Sequence, residues 1–80
     1  MENKIAVIGI IVDNPDSVET LNKTLHHYSD IIIGRLGLPY KERAINIISV
    51  AVDAPETVIT ELTKEIGRID GVSSNAAVSK

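Results

Sequence analysis

The chain repeats itself at a spacing of 40 residues. "IAVIGIIVDNPDSVET" (5–20) falls on "INIISVAVDAPETVIT" (45–60): Ile5 meets Ile45, Ile8 meets Ile48, Val12 meets Val52, Asp13 meets Asp53, Pro15 meets Pro55, Val18 meets Val58 and Thr20 meets Thr60. Asp30 also meets Asp70. Two like halves call for two like folding units, which removes most topologies at once. At 80 residues the chain is expected to be one small domain, 1–80, built from two 40-residue βαβ-type repeats.

Each unit opens with a Val- and Ile-rich run of strand length, followed by Asp-x-Pro-acid and then a helical pattern. Val18, Leu21 and Leu25 share one helical face in the first half; Val58, Leu62, Ile66 and Ile69 do so in the second. Asp13 with Asp16, and Asp53 with Glu56, have the spacing of capping boxes, and a proline in the first turn needs no backbone donor. Asp70-Gly71 breaks the second helix, since glycine accepts the left-handed conformation. The expected elements are β1 at 4–12, α1 at 15–28, β2 at 30–38, β3 at 43–53, α2 at 55–68 and β4 at 72–78. That order, βαββαβ, gives an α+β ferredoxin-like sandwich: a four-stranded antiparallel sheet with both helices on one face.

The alternation within the strands predicts which face those helices cover. Ala6, Ile8, Ile10 and Val12 in β1, and Ile48, Val50 and Val52 in β3, are bulkier towards the helix-entry end than their odd-numbered neighbours, so the even face is assigned to the helices. The odd face (Ile5, Val7, Gly9, Ile11; Ile45, Ile47, Ser49, Ala51) is still mostly apolar. An apolar face left in water marks a partner, so the chain is expected to be a homo-oligomer, a dimer or tetramer, with that face or an edge strand covered by another copy.

Composition excludes several uses of this architecture. The net charge is −3, so no global field draws nucleic acid or an anionic membrane. There is no cysteine, which removes disulfides, thiolate catalysis and the Cys-x-x-Cys of soft-metal chaperones. β1 and β3 carry no aromatic residue on which an RNA base could stack. The turn "DNPDSV" is acidic where an anion-binding phosphatase loop needs glycines and an arginine. Neither Ser17 nor Ser29 has a histidine at a suggestive spacing, so no nucleophile–base pair is visible. The first apolar run, Ile5 to Val12, is too short to span a bilayer. These exclusions leave a soluble, cytoplasmic, non-enzymatic binding or regulatory module without a cofactor.

Four groups of residues could carry its contacts. Arg35 sits in a strand of Ile, Leu and Gly, where Gly34 and Gly37 leave open space around it; it is an edge-strand gatekeeper, half of an ion pair across an oligomer interface, or a clamp for an anion or carboxylate. Tyr40, Lys41 and Arg43, in the β2–β3 connection 39–43, form either a solvated hairpin or a recognition loop. Asp13 and Asp53 are helix caps, or Asp13, with Asn14 beside it, contacts a ligand at a β1–α1 loop shared between subunits. His26 and His27, near the end of α1, point about 100° apart and cannot both serve one metal from one helix; favourable interaction with the helix terminus competes with a metal site shared between subunits.

"VDNPDSVETLN", "VDAPETVITEL" and "IDGV" resemble the strand–Asp-x-Pro–helix and helix–Gly-Val–strand signatures of ACT-type regulatory domains. More closely, "LHHYSDIIIGRLGLPYKER" together with "INIISVAVDAPETVITELTKEIGRIDGVSSNAAV" is similar to the small single-domain regulators of the iron-only hydrogenase system. The resemblance covers essentially the whole chain. It implies an ACT-like fold, related in architecture to the oligomeric C-terminal domain of the nickel-responsive repressor, and a regulatory role without enzymatic activity, exercised through a small-molecule effector or a protein partner. The alternative is a structural protein–protein interaction module with no ligand. Amino-acid-binding ACT domains commonly place glycine after the Asp-x-Pro; Asp16 and Glu56 stand there instead, and a carboxylate opposes an amino acid's own. The chain also lacks a helix-turn-helix or basic arm, so direct nucleic-acid binding is not expected.

Overall fold

Alternation in the two longest strands builds the sheet. The computed structural model describes residues 2–80. β1 is Asn3–Val12, α1 Val18–His27, β2 Ile32–Tyr40, β3 Ile45–Pro55, α2 Glu56–Gly67 and β4 Val72–Val78. Short 3₁₀ turns cover Pro15–Ser17, Ser29–Ile31 and Lys41–Arg43. The strands are ordered β2-β3-β1-β4 and every neighbouring pair is antiparallel. This is the expected α+β, ferredoxin-like and ACT-like arrangement.

The even face is the buried one. Ala6, Ile8, Ile10 and Val12 of β1 and Ile48, Val50, Val52 and Ala54 of β3 form one core with Leu21 and Leu25 of α1 and Ile59, Leu62 and Ile66 of α2. In α2 Ile59 is buried with Leu62 and Ile66, whereas Val58, and Ile69 just beyond the helix, are only partly buried at the core's margin, which corrects the face read from spacing. β4 begins where expected, at Val72, because Gly71 adopts φ +70°, a conformation that favours glycine.

The two halves part company in backbone at the turn before the helix, and one repeat position accounts for it. The first-half turn has Asn14 where the second has Ala54. Asn14 leaves the sheet and its Oδ1 accepts from the Asp16 N–H at 3.0 Å, so a 3₁₀ turn precedes α1. Ala54 can do neither; it stays in β3, buried opposite Lys4, and α2 starts directly after Pro55. The capping boxes expected at Asp13 and Asp53 are therefore not formed. Asn14 holds the cap in the first half, and Asp53 is a strand residue paired with Ile5 in the second, where no side chain caps α2.

The β2–β3 connection also lies later than expected. Pro39 and Tyr40 belong to β2, paired with Asn46 and Ile45, and the turn is Lys41–Arg43 closed by Ala44 in the left-handed region. A proline is tolerated there because β2 is an edge strand and not every donor in it is needed. β2 starts only at Ile32, after a 3₁₀ turn, and its register shifts between Ile32 and Gly34.

Candidate functional site

Pairing of the strands fixes the rows of the open sheet face. Leu38, Ile47, Ile11 and Ser73 form one row; Leu36, Ser49, Gly9 and Asn75 the next; Gly34, Ala51, Val7 and Ala77 the third; Asp53, Ile5 and Ser79 close one end. The large side chains on β1, β2 and β3 are in water: Ile5, Val7 and Ile11 are each 46% exposed, Leu38 58% and Leu36 68%. The β4 column is small and mostly polar. The face is thus apolar over three strands and polar along the fourth.

The middle row is uneven. Gly9 has no side chain and Ser49 a short one, so the sheet is dented between β3, β1 and β4. The hollow has a volume of about 380 Å³ and is walled by Ile11, Ile47 and Asn75. A Cβ on Gly9 would meet only the Asn75 carbonyl oxygen, at 3.9 Å.

The sequence candidates fall in three places. Arg35 alternates to the helix side of β2, where its Nη2 donates to Asn22 Oδ1 of α1 at 3.1 Å. Its stem and His26 line one cleft of about 270 Å³ with Ser29 and Ile32. His27 lies outside that cleft, and among the described residues no group of three or more His, Asp or Glu could hold a metal ion. Gly37 meets nothing within 4 Å of its ideal Cβ, and it lies on β2, an edge strand of the sheet. Tyr40 donates to Glu42 Oε2 at 3.3 Å within the hairpin, and Arg43 precedes the left-handed Ala44 at its tip.

Asp13 and Asn14 follow the end of β1, at the same end of the sheet as the β2–β3 hairpin, but they are bound to the turn before β4. Asn14 Nδ2 donates to Asp70 Oδ2 at 3.0 Å, Ser17 Oγ donates to the Asp70 carbonyl at 2.6 Å, and the Asp13 N–H donates to the Gly71 carbonyl at 2.7 Å. Three bonds tie the end of β1 to the turn before β4. The Asn14 amide is engaged on both its oxygen and its nitrogen, so it has a structural task whatever else it does.

One pair was not singled out by sequence reasoning. Tyr28, just after α1, donates its hydroxyl to Glu65 Oε2 of α2. That hydrogen bond, then burial, then the negative charge of Glu65 and Glu61, push the Tyr28 pKa up to about 12. No sequence signal links positions 37 residues apart on two helices; only the packing of α1 beside α2 reveals it.

The sequence model of the TM1266-like family, described as "Iron-only hydrogenase system regulator, putative", matches residues 4–76, from the start of β1 into β4. The chain belongs to the TM1266-like family. A solved structure, that of the uncharacterized protein TM1266 from Thermotoga maritima, is similar at a TM-score of 0.93 and 28% identity, covering 99% of this chain and 100% of that one. No curated protein matches significantly. The TM1266-like description is of a regulator of the iron-only hydrogenase system and names no catalytic activity. Among the described residues no helix is long and apolar enough to cross a membrane.

Proposed function

We propose that this TM1266-like chain regulates by binding, without catalysis, and works as a dimer or tetramer of itself that takes up a protein partner or a small-molecule effector. The observation that carries this is the open sheet face. Five of its side chains, Ile5, Val7, Ile11, Leu36 and Leu38, are Val, Ile or Leu and 46–68% exposed. Each would be worth roughly 1.5–3 kcal/mol if taken from full exposure to full burial. A second copy is the occupant that fits. The face carries no charge in its middle rows, and its one recess and its most prominent side chain lie in the same row. With the face covered, the β2 edge and hairpin, with Arg35, Gly37, Tyr40 and Arg43, remain as contact positions for an effector or partner. Asp13 and Asn14 are the weaker candidates, because Asn14 is already engaged.

The alternative is an interaction module with no small-molecule ligand. Native mass spectrometry of the purified protein, with the denatured mass alongside, tests the proposal. It counts subunits and reveals retained mass in one experiment. An oligomer with an adduct supports an effector sensor, and a clean oligomer supports regulation by protein contact. A clean monomer at micromolar concentration refutes self-association.

A further inference from the structure

Leu36 and the dent at Gly9 and Ser49 lie in one row of the open face, separated by about 7 Å, which is one and a half strand spacings. Among the described residues Leu36 is the most exposed large apolar side chain, and the dent is the place on this face where a side chain is missing between β3 and β1. A knob and a hole on the same row of the same surface are what a two-fold interface needs, because each copy must present both halves of the contact. We infer that two copies pack face to face about an axis parallel to the strands, with Leu36 of each entering the Gly9–Ser49 dent of the other. This rests on the reading of the chain as a self-associating regulator and adds the register.

The geometry follows from the axis. An axis lying in the plane between the sheets and perpendicular to the strands would bring Leu36 onto Leu36 and leave both dents empty. An axis along the strands, midway between knob and hole, exchanges them. It then sets Leu38 of one copy between Ile11 and Ile47 of the other, the next row along. It lays β1, β2 and β3 over the same three strands of the second copy and leaves β4 outside, so Ser73, Asn75 and Ala77 stay at the wet rim. The polar strand is the one the overlap omits. Asp53 is at the far end of the face, where the roughly 30° crossing of aligned sheets carries the two carboxylates apart. Three strands of about nine residues give a flat footprint of about 14 by 30 Å on each copy, which side-chain relief brings to the lower end of specific interface sizes.

Gly9→Val and Leu36→Asp test this by sedimentation of the full chain. Valine fills the dent without touching the monomer's fold: the position has room for a Cβ, and valine favours strands where glycine weakens them. Both substitutions are expected to weaken the dimer at least tenfold, while Gly9→Val keeps the circular dichroism spectrum and leaves the monomer as resistant to urea as before or more so. Ala77→Lys, on the same face but on β4, is expected to leave the dimer intact. Dimers that survive Gly9→Val and Leu36→Asp overturn this register and leave self-association standing through another surface, such as the β2 edge. Loss of the dimer in Ala77→Lys overturns the omission of β4, and with it the placement of the axis. A monomeric parent protein overturns both the register and the self-association it rests on.

Discussion

Replacing Gly71 by alanine should be among the most damaging single-methyl changes in this chain. Two costs add. The residue holds φ +70°, and an L side chain in the left-handed region costs about 1–2 kcal/mol. The new Cβ would also stand 2.7 Å from Asn14 Cβ and 3.1 Å from the Asn14 nitrogen, so backbone must move, not the tip of a flexible side chain. That displacement strains the three bonds joining residues 13, 14 and 17 to the Asp70–Gly71 turn, and losing one of them costs about 0.5–1.5 kcal/mol. The sum is about 1.5–3.5 kcal/mol, a large part of the roughly 5–15 kcal/mol that holds a domain together. For a chain of this size, each kcal/mol shifts Tm by about 4–8 °C, so a loss of about 6–28 °C is expected. Urea and thermal unfolding followed by circular dichroism, at one fixed protein concentration because association shifts apparent stability, measure it. In an Asn14→Gly background, where the nearest clashing atom and the two Asn14 side-chain bonds are already gone, Gly71→Ala should cost less than it does in the parent, mainly the conformational part. A fall of less than about 1 kcal/mol in Gly71→Ala would refute both the clash and the need for glycine at this turn.

Two other changes read different parts of the structure. Tyr28 has a higher pKa folded, about 12, than its ordinary 10.0, so the native state holds that proton more tightly; its stabilisation is complete below pH 10 and lost as pH rises through about 12, and the stability gap between the parent and Tyr28→Phe should narrow across that window in urea titrations at stepped pH. Ala44 is a non-glycine residue at φ 53°, and Ala44→Gly should raise the urea midpoint by relieving about 0.5–1 kcal/mol of net backbone strain; an unchanged or lower midpoint would show that the hairpin bears that conformation without cost.

Face, order and fold were legible because they depend on period. Ile8, Ile10, Val50 and Val52 recur every second residue, and that alone sets them opposite Ile5, Val7 and Ile11. Registers were not legible, because nothing in a single strand says which residue of another it meets. The dent exists only because Gly9 pairs with Ser49, and Leu36 became its counterpart only once β2 was placed against β3. The bulge after Ile32 and the extension of β2 through Pro39 lie in a stretch whose Gly and Pro residues read equally well as a turn. The cap was assigned one residue early, to Asp13, because aspartate and asparagine cap equally well; Asn14 prevails through its second bond, to Asp70, 56 residues away. Arg35 was read as a strand residue facing open space, and its bond to Asn22 follows from α1 lying over that edge.

The strand order has a consequence for what each half of the chain is by itself. β1 is flanked by β3 and β4, and β2 by β3 alone, so each strand-to-strand ladder joins one half of the sequence to the other and none lies within a half. A fragment ending at the Lys41–Arg43 turn would own two strands and a helix and have no sheet at all. The halves resemble each other as two hands do when their fingers are interlaced: alike, and holding only what the other supplies. A cut in that hairpin should therefore yield two pieces that are unstructured apart and fold on being mixed. The same hairpin, swung open, would let two whole chains trade halves with every ladder preserved.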